Sequence, residues 1–132
     1  MSAGPDALVG VGTDLVDVEE LRAALDRTPG LQDRLFTAGE VEYSSRHRDP
    51  VIHLAARAAA KEAVMKALGR GISDIGFTEI EVAHDVGGRP VVVLHGRALD
   101  EANAQEVDAW HLSLTHTRSL AQAFAVAVRA PD

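Results

Sequence analysis

The chain has 132 residues, of which 46% are hydrophobic and 25% charged, and its formal net charge is −7 at pH 7. These values are typical of a single globular domain, here residues 1–132, with a core of its own. The negative charge and the 4% aromatic content argue against a nucleic-acid-binding protein, which needs a broad basic surface or a base-stacking platform. Because the chain has no cysteine, disulfides, thiolate metal sites and thiol nucleophiles are excluded. No apolar run is long enough for a bilayer and no signal sequence is recognisable, so we expect a cytoplasmic protein without a membrane partner.

The first third of the chain predicts one strand and two short helices. The apolar, glycine-containing run at residues 8–12 is typical of a short buried strand. Asp17 is a suitable N-cap for a helix through residues 18–25. Thr37 and Glu40 have the spacing of a capping box, which predicts a second helix directly after the threonine.

A long alanine-rich helix is predicted in the middle of the chain. It begins at Asp49-Pro50, since proline is favourable in the first helical turn. Strong helix formers continue to Leu68, and Gly69 is the expected C-cap.

The second half of the chain is richer in strand patterns. The predicted elements are a hairpin of strands near residues 77–83 and 91–94, a helix at 98–107 and a strand pair at 110–115 and 123–128. Strands and helices interleave irregularly along the chain. We therefore expect an α+β fold in which an antiparallel three-stranded sheet packs on the long helix.

The long helix carries three cations and one carboxylate, and they allow two interpretations. Glu62 and Lys66 are four residues apart, as are Arg57 and Lys61, so each pair shares a side of the helix. These groups could hold a divalent metal together with an anionic ligand. The alternative is an ordinary ion pair on a solvated helix face, and the helix by itself favours this alternative.

Asp14, at the end of the first predicted strand, is a candidate metal ligand. A helix cap is about equally compatible with this position. Magnesium prefers hard oxygen ligands and needs only one or two carboxylates, since water and substrate phosphates fill its other positions. Asp14 and Glu62 would make such a site if the strand end lies beside the helix.

Ser113, Thr115 and His116 place two hydroxyls and an imidazole at the end of a predicted strand. The two hydroxyls share one strand face and could donate to phosphate oxygens, although an ordinary edge strand is favoured by this segment alone. The other histidines have no metal-ligand spacing. His47, between two arginines, could contact an anion, but a solvated loop is favoured there.

Taken together, these segments resemble the holo-acyl-carrier-protein synthase family, the short single-module phosphopantetheinyl transferases. The matching segments are GVGTD at residues 10–14, ARAAAKEAVMKA at 56–67 and LSLTH at 112–116. The segments FTEIEV at 77–82 and GRP at 88–90 also resemble the family's hairpin. The resemblance covers nearly the whole chain in the right order.

The resemblance implies an activity and a set of site residues. The family transfers 4′-phosphopantetheine from coenzyme A to a serine of an apo acyl carrier protein in fatty-acid or polyketide synthesis, releasing adenosine 3′,5′-bisphosphate. Asp14 and Glu62 match the metal ligands for Mg2+, with Mn2+ as an alternative ion, and Lys66 completes the catalytic set. The expected coenzyme A-binding residues are Arg57, Lys61, Lys66, Arg89, Pro90, Ser113, Thr115 and His116. The resemblance also implies a homotrimer with active sites between subunits.

Three points are left open or depart from the family. The serine proton could pass to Glu62 or to a metal-bound water held by Asp14. Ala58 stands where relatives often have a large aromatic residue. The first helix is acidic where relatives often present arginine, so carrier docking is expected to depend on other basic residues: Arg22, Arg27, Arg34 or Arg46. Rival functions are a coenzyme A-binding module without transfer, a structural trimer, and a phosphohydrolase, which usually needs further carboxylates for two metals.

Overall fold

A computed structural model describes residues 7–131 of the chain. The helices are α1 (Val18–Arg27), α2 (Leu31–Leu35), α3 (Ala38–Ser45), α4 (Pro50–Leu68) and α5 (Gly96–Ala104), with a 3-10 turn at Phe77–Glu79. The strands are β1 (Ala7–Asp17), β2 (Ile80–His84), β3 (Pro90–Leu94), β4 (Ala109–His116) and β5 (Leu120–Arg129).

The described strands form one three-stranded sheet, in the order β1-β5-β4, and one hairpin of β2 and β3. Every pairing is antiparallel. One face of the three-stranded sheet packs on α4, and the alanines of β5 alternate inward to form the contact. The predicted α+β fold, a three-stranded antiparallel sheet on a long helix, is confirmed.

Two glycines allow β1 to lie directly on α4. A Cβ atom at Gly10 would overlap the carbonyl oxygen of Ala67, and one at Gly12 would overlap that of Ala63. Only a strand without side chains at these positions can approach the helix backbone this closely. Asp14 follows on the same strand face, so this packing brings its carboxylate beside α4.

The predicted caps of α1, α3 and α4 are confirmed. The side chain of Asp17 accepts a hydrogen bond from Glu20 N, and Thr37 forms the complete capping box with Glu40. The long helix begins at Pro50 behind its cap Asp49. It ends at Gly69, whose φ of 68° is the left-handed conformation that favours glycine.

Three predicted boundaries are wrong. The first strand does not end at residue 12, because pairing with β5 continues to Asp17, so Asp14 lies inside the strand. That strand is also only half-buried, since Val11 and Leu15 are exposed on its outer face. The second strand begins at Ile80, after the 3-10 turn. The predicted helix at 98–107 spans Gly96–Ala104, since Glu106 has a φ of 60° and ends it.

None of the helices between residues 7 and 131 combines the length and the apolar character needed to cross a membrane.

Candidate active site

Asp14, Glu62 and Lys66 come together where β1 crosses α4, and we call them the carboxylate site. The ammonium of Lys66 donates to Asp14 Oδ1 at 3.2 Å and to the carbonyl oxygen of Thr13 at 3.0 Å. The expected ion pair within the helix, between Glu62 and Lys66, is therefore replaced by a pair that joins helix and strand. The Lys66 side chain is 56% exposed and that of Asp14 is 20% exposed, so the pair is accessible from solvent.

The electrostatics of this site favour a bound cation. Burial is the largest cause of a raised pKa at Glu62, the negative charge of Asp14 raises that pKa further, and Lys66 opposes both. The two carboxylates thus line one cavity and lie close enough for the charge of Asp14 to act on Glu62, and the ammonium of Lys66 pairs with Asp14. A positive charge beside such a pair reduces the electrostatic repulsion between the two carboxylates.

The carboxylate site opens into a cavity of about 340 Å³. Its lining combines the two carboxylates with an acidic rim and an apolar floor: Asp14, Leu15, Val16, Asp17, Glu20, Leu21, Leu35, Ala58, Glu62 and Phe77. The cavity is therefore large enough for substrate atoms beside the carboxylates, and Ala58 leaves part of its floor open.

The residues fit a magnesium ion that is shared with a phosphorylated ligand. Between residues 7 and 131, no three histidine, aspartate or glutamate side chains are grouped closely enough to hold a metal by themselves. Asp14 and Glu62 supply two hard oxygen donors at an open cavity, which suits an ion that keeps its other positions for water and phosphate oxygens.

A second group lies at the N-terminal part of α4, and the spacing of its residues along the chain does not reveal it as a unit. Five stacked or tilted rings form a continuous row, which we call the ring column: His84, Tyr43, His47, His53 and His116. The successive ring centroids are 4.2, 4.9, 3.7 and 5.5 Å apart. The expected loop is present, with Arg46 and Arg48 exposed, but His47 itself is half-buried in this column.

Arg57 packs against the middle of the ring column. Its guanidinium lies 4.3 Å from the centroid of Tyr43, and it contacts His84 Nε2 at 3.1 Å and donates to the carbonyl oxygen of His53 at 3.1 Å. The residue is only 3% exposed, and burial lowers its pKa from the ordinary value. Its Nε has no hydrogen-bond partner among the described residues.

Lys61 is fully buried, although it is one of the residues expected beside the substrate phosphates. Its ammonium pairs with Glu40 Oε1 at 2.7 Å and donates to the carbonyl oxygens of Phe77 and Ile80. Burial is the largest cause of a lowered pKa at this ammonium, and Glu40 opposes it. Lys61 therefore faces the interior and joins α4 to α3 and β2. The solvated helix face that the sequence favoured for Arg57 and Lys61 is wrong.

The remaining predicted residues lie at three places. Ser113 and Thr115 are exposed on the outer face of the sheet, which points away from α4. His116 ends the ring column. Arg89 and Pro90 lie at the exposed turn of the β2–β3 hairpin, where Pro90 pairs with the column residue His84.

The carboxylate site and the ring column line separate cavities. The ring-column cavity, of about 530 Å³, is lined by Glu19, His47, Arg48, Asp49, Ile52, His53, His116 and Arg118. It shares no lining residue with the carboxylate cavity, which lies on the other side of the first turn of α1. The chain thus presents two cavities that each contain residues predicted from the sequence, the carboxylates in one and His116 in the other.

Comparison with known proteins identifies the family of the chain. The holo-[acyl-carrier-protein] synthase of Beutenbergia cavernae is 48% identical over 123 residues, which is 92% of this chain and 99% of the relative. A crystal structure of holo-[acyl-carrier-protein] synthase from Neisseria meningitidis is 32% identical with a TM-score of 0.79, covering 92% of this chain and 98% of that one. The Bacillus anthracis holo-(acyl-carrier-protein) synthase in complex with CoA (3′,5′-ADP) is 28% identical with a TM-score of 0.76, covering 93% and 98%. The family model of the 4′-phosphopantetheinyl transferase superfamily matches residues 10–128, and the chain belongs to this superfamily.

Proposed function

We propose that this protein is a holo-acyl-carrier-protein synthase. It transfers 4′-phosphopantetheine from coenzyme A to a serine of an apo acyl carrier protein and releases adenosine 3′,5′-bisphosphate. The observation that carries the proposal is that Asp14 and Glu62 line one open cavity and Lys66 pairs with Asp14, in a chain that aligns with such synthases over nearly its full length.

The reaction exchanges one phosphorus–oxygen bond for another. The serine oxygen of the carrier attacks the phosphorus that bears pantetheine, and the bond from that phosphorus to the oxygen of the nucleotide phosphate breaks. The leaving group carries away the electron pair of that bond as adenosine 3′,5′-bisphosphate. In our proposal, Glu62 accepts the serine proton. The ammonium of Lys66 donates a hydrogen bond to Asp14, so Asp14 is the carboxylate already engaged by a protein cation.

Charge stabilisation is the main task of the remaining groups. Asp14 and Glu62 would hold a Mg2+ ion, with Mn2+ as an alternative, and a bound metal offsets the negative charge that grows on the leaving phosphate. The side chain of Lys66 is 56% exposed and pairs with Asp14. Its ammonium would offset the negative charge of the diphosphate of coenzyme A. At the other cavity, Arg57 and His116 are the groups that we assign to the substrate's other phosphates.

The separation of the two cavities supports the homotrimer. The outer face of the sheet exposes large apolar side chains that one copy alone leaves in water: Val11, Leu15, Leu120 and Phe124, each between 39% and 58% exposed. A second copy packed on this face buries them and sets the carboxylate site of one subunit against the ring column of the next. Ser113 and Thr115 lie on the same face and would then be within reach of substrate held between the subunits.

Mixing two inactive variants tests the shared site. Asp14→Asn damages one half of the site and His116→Ala the other. If neighbouring subunits share each site, random reassembly of equal amounts restores about one quarter of the activity, because that fraction of interfaces carries two intact halves. If the site lies within one chain, mixing restores none, and a monomer in light scattering would equally contradict the proposal.

Two of the four arginines that are candidates for carrier docking already form ion pairs. Arg22 is held by Asp49 at 2.7 Å and by Glu19, and Arg46 is paired with Glu42 at 2.8 Å. The other two candidates are exposed and form no ion pair with any residue between 7 and 131: Arg27 and Arg34. We propose that these two contact the acidic carrier at the end of α1 and in α2.

The mass of the carrier tests the proposed function. The protein is mixed with coenzyme A, Mg2+ and an apo carrier of fatty-acid or polyketide synthesis, and the carrier is weighed by mass spectrometry. We expect a gain of one phosphopantetheine, together with free adenosine 3′,5′-bisphosphate. Asp14→Asn and Glu62→Gln should abolish the gain, with His95→Gln, at an exposed position outside both cavities, as the matched control. A carrier of unchanged mass with every carrier tried would contradict the proposal. The proposal includes a cytoplasmic location, where both substrates occur.

A further inference from the structure

His53 is the half-buried fourth ring of the ring column, between His47 and His116. Its ring stacks on His47 with 3.7 Å between centroids and meets His116 at 5.5 Å. It also lines the cavity of about 530 Å³ together with two arginines, Arg48 and Arg118. An imidazole in this place is open to a ligand on one side and covered by other rings on the other.

The groups around His53 keep it neutral when the cavity holds no anion. Burial, the neighbouring imidazoles and Arg57 lower its pKa from 6.5 to about 4, and only Asp49 raises it. The charge of Asp49 is already engaged by Arg22 through two hydrogen bonds, of 3.2 and 2.7 Å. The other charged or titratable groups that line this space are Glu19 from α1, His47 and Arg48 before α4, His116 at the end of β4 and Arg118 in the turn after it.

A phosphate in the cavity would reverse this balance. A dianion offsets the repulsion between the imidazoles and Arg57, and it offers an acceptor to a protonated ring. We propose that His53 is a further substrate-binding residue that takes up one proton from solvent when a phosphate group of the nucleotide enters the ring-column cavity. This inference rests on the proposed function, since it assigns the phosphate to coenzyme A or to its product.

The uptake has a simple proton balance and a chemical consequence. The proton comes from buffer and ends on a ring nitrogen of His53, and no covalent bond changes in the substrate. Binding therefore adds one positive charge at the cavity only when a negative ligand is present. The ring then hydrogen-bonds the phosphate as a cation, although it is neutral in the free protein at neutral pH.

Calorimetry tests the proton uptake with adenosine 3′,5′-bisphosphate as the probe. Binding is measured at pH 6.0 in two buffers with different ionisation enthalpies, and the slope of the binding enthalpy gives the number of protons exchanged. The wild type is compared with His53→Phe, which keeps a stacking ring without a titrating nitrogen, with His53→Gln, and with His95→Gln as a histidine control. Subtracting the variant from the wild type removes the protons that the ligand itself exchanges.

We expect the wild type and His95→Gln to take up more protons than both His53 variants, by up to about one proton, because an anion in the cavity raises the pKa of the imidazole from its value of about 4 in the free protein. The His53 variants should bind the probe several-fold more weakly at pH 6 than the wild type does. Equal proton uptake in all four proteins would overturn the inference, and so would tight binding unaffected by either His53 variant. If the wild type modifies a carrier but shows no proton uptake at His53, only this inference fails and the proposed function stands. A protein that neither binds the probe nor modifies a carrier would contradict both.

Discussion

Lys61 and Lys66 lie five residues apart on α4 and have opposite surroundings. The Lys61 side chain is 0% exposed and pairs with Glu40, whereas that of Lys66 is 56% exposed and pairs with Asp14. Five residues correspond to about 140° around a helix, so the two ammonium groups project to different sides. One side meets α3 and β2, and the other meets the solvent-exposed end of β1.

The difference separates a structural ion pair from a functional one. Glu40 caps α3 through Thr37 N and also accepts from Val82 N, so the pair with Lys61 fixes three elements together. Within residues 7–131, Lys66 forms an ion pair with Asp14 alone, and the Asp14 carboxylate lines an open cavity. In our proposal, Lys61 therefore serves the fold and Lys66 serves the chemistry.

Replacing each lysine by methionine is the strongest test of this contrast. Lys61→Met leaves the carboxylate of Glu40 buried without its cation, and we expect a loss of about 3–5 kcal/mol in the free energy of unfolding. Lys66→Met should change stability by less than about 1 kcal/mol, because an exposed ion pair contributes little. Transfer activity at equal folded concentration should fall at least tenfold in Lys66→Met. Urea unfolding and carrier modification measure the two effects. Equal stability losses in both variants would contradict the assignment.

The close contact of β1 with α4 gives the second prediction. Gly12→Ala places a methyl group against the carbonyl oxygen of Ala63, and the strand must move away from the helix that holds Glu62. We expect a loss of about 3 kcal/mol in stability, since the clash is with backbone and not with a flexible side chain. Gly71→Ala is the matched control, because a Cβ there meets nothing within 4 Å. A Gly12→Ala protein as stable as this control would refute the role of the glycine.

The sequence predicted the elements that depend on local signals. The caps at Asp17, Thr37 and Gly69 were all placed correctly, because each signal lies within four residues of the helix end that it defines. The convergence of Asp14 with Glu62 was predicted through the family resemblance, and its physical cause is the pair of glycines that precede the aspartate.

The ring column and the burial of Lys61 were not predictable from spacing. His47 and His53 stack because the chain turns between α3 and α4, and His84 and His116 reach the same row from two strands distant in sequence. Lys61 is buried because Glu40 comes from another helix to meet it. Such contacts depend on tertiary packing, which the periodicity of a single helix does not contain.

The ring column predicts a pH dependence of stability. The pKa of His53 is about 4 in the folded protein and near 6.5 in the unfolded chain, so between these values the unfolded state binds more protons. The stability contributed by this neutral imidazole is therefore complete above pH 6.5 and is lost as the pH falls toward 4. We expect wild type to lose about 1–2 kcal/mol more than His53→Gln between pH 7 and pH 4.5, allowing for partial solvent exposure. Identical pH profiles in denaturant unfolding would contradict the environment assigned to His53.

The acidic rim of the carboxylate cavity gives the smallest expected effect. Glu20 lies at that cavity, and an acidic carrier must approach it to deliver its serine. Glu20→Arg should lower the KM for an acidic carrier by about threefold, and the effect should fade with salt because exposed charges are screened. Asp100→Arg makes the same charge change on α5, away from this cavity, and should leave KM unaltered. A rise in KM for Glu20→Arg would show that the rim itself attracts the carrier.

Anomalous scattering from Mn2+ tests the central claim most directly. Crystals of the protein grown with coenzyme A and Mn2+ should contain a peak between the carboxylates of Asp14 and Glu62, within bonding distance of the diphosphate. Coenzyme A bound with no ion between these side chains, or with the two carboxylates turned to separate neighbours, would contradict the account.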